Sequence, residues 1–184
     1  MSRITGEDYR AGYCLGLTKS ASLLRDSKTE RRRLQPLIST ETNRLTSLGL
    51  DPLLSGSIAR RINLPGESDI DFAVGTGNIQ RTSRMLERNG IPFAKMKGNN
   101  RLHKYTTRDG VPIDVQVRPS KEVDFLRSGT AIMASLPSSE ISKILKEKDR
   151  LKRSGNKAAY KKYKYGVYER HGVFPKDGDW SNLK

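Results

Sequence analysis

Apolar positions along this chain change period twice. Residues 7–24 are weakly helical, with Tyr9, Tyr13 and Leu17 on one side. Leu34, Leu37, Ile38, Leu45 and Leu48 then recur at helical spacing and predict a second helix over residues 28–48. Pro36 lies inside that span, so the helix either starts near it or kinks there, and Gly49 is a natural stop. The middle of the chain reads differently. Residues 51–55 form a short apolar run leading into a Gly-Ser turn, and residues 69–74 alternate polar and apolar as a strand does with one face buried. Residues 102–107 and 111–117 are two further strands, joined by Arg108-Asp109-Gly110 as a hairpin turn. Residues 78–89 are helical, with Ile79, Met85 and Leu86 inward and Gly90 as the stop. From Pro119 to about His171 the helical period returns, and Gly129, Pro137 and Gly155 divide it into three pieces.

These elements predict an α+β fold: a small mixed sheet of four to five strands flanked by helices, with a helical C-terminal region. The expected division is N-terminal helices over 1–48, a core over 49–120, a basic helical region over 121–172 and a loose tail over 173–184.

Composition narrows the class. Hydrophobic residues are 34% of the chain, lean for a core but above a wholly disordered sequence. No apolar run approaches the ~20 residues of a membrane helix, and the N-terminus lacks a signal-peptide pattern. One cysteine, Cys14, excludes an intrachain disulfide and a cysteine-rich zinc site. The expectation is a cytoplasmic protein of a reducing compartment, without membrane contact. Lys and Arg number 35 against 20 acidic residues, a net charge of +15, which favours a nucleic-acid or polyphosphate partner.

The basic residues cluster. Lys143, Lys146, Lys148, Arg150, Lys152 and Arg153 are followed by Lys157, Lys161, Lys162, Lys164 and Arg170, interleaved with Tyr160, Tyr163, Tyr165 and Tyr168. Tyr160, Tyr163 and Val167 fall at helical spacing and read as core. The lysines, notably Lys146, Lys152, Lys161 and Lys164, read as facing nucleic acid. Arg31-Arg32-Arg33 either extends that surface or is simply solvated. Lys95, Lys97, Arg101, Lys104 and Arg108 form a smaller group. Among them His103 reads as a surface histidine somewhat more than as a base contact, and two histidines in all disfavour histidine metal ligation.

Three pieces carry chemistry: Gly56-Ser57 at a strand exit, Asp69-Ile70-Asp71, and Ile113-Asp114-Val115. Residues i and i+2 of a strand share a face, so Asp69 and Asp71 project side by side and repel unless a cation lies between them. Hard divalent cations take such oxygen ligands. If the Asp114 strand lies alongside, a two-metal site for phosphoryl transfer results. Each piece alone is ordinary, since Asp-x-Asp on a strand is most often an exposed polar face and Gly-Ser a plain turn.

Together, the stretch Gly56-Ser-Ile-Ala-Arg-Arg-Ile-Asn-Leu-Pro-Gly-Glu-Ser-Asp-Ile-Asp71 and the later Asp114 resemble the signature of the polymerase β nucleotidyltransferase superfamily. The Ser-x-Ala-Arg and Leu-Pro-Gly elements are most similar to archaeal-type CCA-adding enzymes and oligoadenylate synthetases. The resemblance spans about residues 50–118. It implies the nucleotidyltransferase fold, an NTP or dNTP donor, and Mg²⁺ (with Mn²⁺ as a substitute) on catalytic Asp69, Asp71 and Asp114. It also implies donor binding by Gly56, Ser57 and Arg60, release of pyrophosphate, and, with the charge, an RNA or DNA acceptor. Family members often carry Gly where this chain has Arg61, and the chain is too short for a CCA-adding enzyme's further domains. The rival readings are transfer to a small molecule or protein, and a non-catalytic nucleic-acid-binding module.

Overall fold

The computed structural model describes residues 6–175 and Trp180, with the backbone alone for residues 6–20 and 97. Five strands form one sheet: β1 (Pro52–Ser55), β2 (Ile70–Thr76), β3 (Phe93–Lys97), β4 (Asn100–Thr106) and β5 (Pro112–Pro119). Their order is β1-β2-β5-β4-β3, with β2 and β5 parallel and the other neighbours antiparallel. The mixed α+β architecture is the one that the periods predict. The additional strand is β3, whose residues Phe93 and Met96 are exposed. An edge strand buries little on either face, so it leaves no alternation to read.

The two N-terminal helices expected from the sequence are one, α1 (Gly6–Ser47), running through Pro36. No Gly or Pro separates residue 24 from residue 28, so nothing breaks the helix there. Thr40 Oγ1 donates to the Pro36 carbonyl at 3.0 Å. Leu34, Ile38 and Leu45 are buried as the spacing predicts; the side chains of Tyr9, Tyr13 and Leu17 lie outside the described residues. Gly49, at φ +78°, ends the α1 turn.

Short helix α2 (Gly56–Ala59) follows β1, and α3 (Ile79–Arg88) follows β2 with Asn78 as its cap, accepting from the Arg81 amide at 3.0 Å. Three helices complete the chain: α4 (Ser120–Ser135), α5 (Ser138–Arg153) and α6 (Lys157–Arg170). Pro137 and Gly155 separate them as expected, but Gly129 does not break α4. It is needed for packing: a Cβ there would stand 2.3 Å from the Gly172 carbonyl oxygen and 2.4 Å from Val173 Cα. Of the stretch read as a loose tail, Val173 is buried, and Trp180 packs edge-on against Phe125 and Phe174.

Strand alternation sends Ile70, Phe72 and Val74, with Ile113, Val115 and Val117, into a core shared with α1 and α3. The opposite face, carrying Ala73, meets a second core built with α4, α5 and α6. Asp71 of β2 and Asp114, Gln116 and Arg118 of β5 therefore point toward the C-terminal helices, whereas Thr76 at the end of β2 faces α3.

Candidate active site

On that polar face the register places Asp71 of β2 beside Asp114 of β5, and Ser55 of β1 beside Asp71. Parallel neighbours lie about 4.8 Å apart, so the two carboxylates share one small region. Asp69 is exposed chain two residues ahead. Burial raises the Asp71 carboxyl above its ordinary range, and the Asp114 and Asp69 charges push it the same way; Lys164 and Arg60 act against them.

Gly56 leaves β1 at φ +71°, and a Cβ on it would stand 1.9 Å from Asp71 Oδ2. The close approach that demands glycine here is to the acid itself. Ser57 is half-buried in the first turn of α2, and its hydroxyl has no hydrogen-bond partner among the described residues.

Asp114 already has a cation. Lys104 is its register partner on β4, and Nζ donates to both carboxylate oxygens at 2.6 Å. That ammonium is half exposed on a flexible stem, so it is displaceable. Among the described residues no group of three His, Cys, Asp or Glu side chains forms a ready metal cage. The donor set still has the chemistry that a hard divalent cation takes: oxygens only, crowded like charge at Asp71, and one replaceable ammonium at Asp114.

Beside Asp71 opens a cleft of about 120 Å³ with three cations on its wall, Arg60, Arg118 and Lys164. Arg60 is buried, donates to Thr130 Oγ1 at 3.3 Å and lies 4.6 Å over the Tyr168 ring. Arg118 donates to Glu122 at 2.8 Å and sits 5.1 Å over Trp180. Burial lowers the Lys164 ammonium pKa, but Tyr168 and the Asp71 and Glu67 charges outweigh it and hold it above the ordinary value. Tyr168 is buried in the same wall, and its hydroxyl has no hydrogen-bond partner among the described residues. Tyr165 stacks on Phe174 at the rim, with ring centroids 5.7 Å apart.

The four lysines singled out from the sequence do not share a surface. Lys146 and Lys161 are exposed on α5 and α6, while Lys152 reaches Glu67 at 3.5 Å. Lys164 turns into the cleft. Tyr160 and Tyr163 are half-buried, whereas the deeper α6 contacts are Val167 and Tyr168. His103 is a correction: it is fully buried between β4 and α3, paired with Ser83 Oγ at 2.9 Å and the Ile91 carbonyl at 3.0 Å. Its strand face is the one turned from Lys104, toward the α1–α3 core, and burial lowers its pKa. Arg118 and Gln116 went unnoticed in the sequence, although they stand at i+4 and i+2 from Asp114 and so share its strand face.

The segment leading to Asp69 is tied down by Glu67, which accepts from the Leu64 amide at 2.8 Å, Tyr160 Oη at 3.0 Å and Lys148 Nζ at 3.2 Å. Arg61, where the resembled family often has Gly, stands at φ +63° and donates to the carbonyls of Ala134 and Leu136 at 2.8 and 3.3 Å. The backbone at this position suits glycine, and two bonds to the end of α4 offset the strain.

Lys148 is completely buried, donating also to the Ile62 carbonyl, and burial lowers its pKa to about 8 although Glu67 pulls upward. An unfolded lysine titrates near 10.5, so between those values the unfolded chain binds more protons and stability rises with pH. Urea unfolding should therefore gain roughly 3 kcal/mol from this group between pH 8 and pH 10.5. Lys148→Met should lose that rise, and an unchanged pH slope in the variant would remove the assignment.

No protein-family model matches the chain, nor does any curated protein sequence. Among solved structures, it is similar to Cid1, in a structure described for its RNA terminal uridylyl transferase activity: 16% identity over 78% of this chain and 46% of that one, TM-score 0.49. It is also similar to a cytoplasmic RNA terminal U-transferase, at 15% identity over 82% of this chain and 41% of that one, TM-score 0.40. The chain spans less than half the length of either.

Proposed function

We propose that this protein is a metal-dependent nucleotidyltransferase that moves a nucleoside monophosphate from an NTP or dNTP to a hydroxyl of a nucleic acid, releasing pyrophosphate. The observation that carries the reading is the register pairing of Asp71 with Asp114 beside a cleft walled by Arg60, Arg118 and Lys164. Carboxylates crowded next to a cationic cleft suit one class of ligand well, a polyphosphate that brings its own divalent cations. In this reading residues 49–120 are the catalytic core, and residues 121–172 close it and leave Lys146 and Lys161 exposed for the acceptor, with Lys152 held by Glu67.

Mg²⁺, with Mn²⁺ as a substitute, held by Asp69, Asp71 and Asp114 would supply positive charge at the transferring phosphoryl group and acidify the acceptor hydroxyl. The chain's own groups account for the rest. Arg60, Arg118 and Lys164 take the donor's phosphate oxygens, and the Tyr168 and Ser57 hydroxyls are free to donate to the same anion. Gly56 keeps Asp71 in place by leaving room for its carboxylate. Once Lys104 swings off, an Asp114 oxygen receives the acceptor proton. The acceptor oxygen bonds to the α-phosphorus, the α–β bridging bond breaks, and the cleft cations hold the departing pyrophosphate.

The test is incubation with each labelled NTP and dNTP, Mg²⁺ or Mn²⁺, and a panel of tRNA, single-stranded and gapped acceptors. Extension of at least one acceptor with pyrophosphate release is expected; none across the panel overturns the reading. Lys164→Ala should raise the donor KM about tenfold or more, since a charge-assisted hydrogen bond is worth about 1.5–3 kcal/mol. An unaltered KM would take Lys164 out of the donor site.

A further inference from the structure

The charged surfaces of this molecule differ in whether their cations are already spoken for. On α5, Arg150 pairs with Glu147 at 2.6 Å and Arg153 with Asp149 at 2.9 Å, and Lys152 reaches Glu67. Part of α5 is thus neutralised by acids, although Lys143 and Lys146, like Lys157, Lys161 and Lys162 of α6, are exposed with no side-chain partner among the described residues. On helix α3 no arginine is neutralised in this way. Ile79, Thr82, Ser83 and Leu86 turn toward the sheet, which places Arg81, Arg84 and Arg88 together on the outward side. All three are exposed, and none of their guanidinium groups has a partner among the described residues. The one acid of the helix, Glu87, accepts instead from Ser83 Oγ at 3.1 Å. Asp51, across the adjoining cleft, is bound by Arg127 at 2.7 Å. That cleft, about 1020 Å³, separates α3 from the turn after α1 and is edged with Thr76, Asn78 and Gln80.

We infer that the outward arginine face of α3 and its cleft form a binding surface for the phosphate backbone of a nucleic-acid strand, separate from the candidate active site. The separation follows from β2. Asp71 lies at the start of that strand and α3 follows its end, so the two sites are about 17 Å apart along the sheet. Arg81 to Arg88 covers about 10 Å of helix, comparable with about three base steps of ~3.4 Å measured along a duplex axis. Guanidinium groups offer paired donors to phosphate oxygens, and neighbouring amide and hydroxyl side chains offer more. An acidic protein partner fits less well. Stable protein interfaces centre on buried aromatic or apolar anchors, and among the described residues the exposed large hydrophobic side chains, Phe93, Met96, Ile132 and Tyr165, lie off α3 and its cleft. The inference does not depend on transfer chemistry, because binding is measured without a donor nucleotide.

The experiment is a filter-binding salt series with labelled single-stranded RNA and duplex DNA on the full chain, its R81Q/R84Q/R88Q variant and a K143Q/K146Q/K161Q variant. The α3 variant should bind at least tenfold more weakly at low salt. Its slope of log affinity against log salt on the single strand should flatten by about two, from ~0.7 per lost phosphate contact. Circular dichroism should be unaltered, since the changed side chains are solvent-facing. Arg-to-Lys at the same three sites should restore most of the slope, because phosphate neutralisation needs charge before geometry. A slope equal to wild type in R81Q/R84Q/R88Q overturns the inference. So does retained oligonucleotide binding together with lost binding of a poly-glutamate peptide, which would assign the face to an acidic protein.

Discussion

Asp71→Asn should lower nucleotidyl transfer by roughly a thousandfold or more while leaving the protein as stable as before, or slightly more so. The two halves of this expectation have one cause. Asp71 is desolvated and crowded by Asp114 and Asp69, with Lys164 and Arg60 offsetting only part of the repulsion. The folded state therefore disfavours its charge, and an isosteric amide relieves that cost. The same negative charge is what a divalent cation would be held by, and charge stabilisation accounts for nearly all of phosphoryl-transfer catalysis. Thermal unfolding and a radiolabelled transfer assay on one preparation separate the effects. Near-native turnover at saturating Mg²⁺ would remove Asp71 from the site. A collapsed melting temperature would make it a structural acid instead.

Gly129→Val should be the most damaging single change to stability. A side chain there meets backbone, the Gly172 carbonyl and Val173 Cα, and backbone cannot rotate aside as a flexible side chain can. The cost should be about 3 kcal/mol or more, or roughly 6–12 °C in melting temperature for a domain of this size. The displaced segment carries Phe174, which lines the cleft beside Lys164 and Tyr168. Donor affinity should therefore fall along with stability. Gly77→Ala is the control, because nothing lies within 4 Å of its added Cβ and its φ is not in the left-handed region. Equal melting temperatures for the two variants would show that the 172–174 segment does not pack on α4 in solution.

Local period was enough to expect the sheet and most helices, because strand alternation in β2 and β5 and helical spacing in α1 and α3 each bury one face. Features set by distant partners were not legible. β3 is an edge with no buried face to alternate. Gly129 looks like a helix breaker until residues 172–173 are seen crossing it. His103 looks polar until α3 packs over it and supplies Ser83. The same division holds for the candidate site. Alternation implies that Asp71 and Asp114 each face away from an apolar side, but only the pairing of β2 with β5 makes them neighbours. Nothing near Lys164 in the sequence distinguishes it from Lys161; the way α6 docks does so, turning one into the cleft and leaving the other exposed.

The cleft wall draws on residues as far apart in the chain as Ser55 and Phe174. On a ribosome, the acids through Asp114 emerge while the residues that close the cleft are still being made. At about 5–20 residues per second, the 60 positions from Asp114 to Phe174 take about 3–12 s. During that interval the carboxylates lack Lys164 and Tyr168, and the parallel β2–β5 pairing must wait for loop closure over the intervening hairpin. Under the proposed function the donor site would therefore stay incomplete on a nascent chain until α6 docks on α5 and the 172–174 segment settles onto α4.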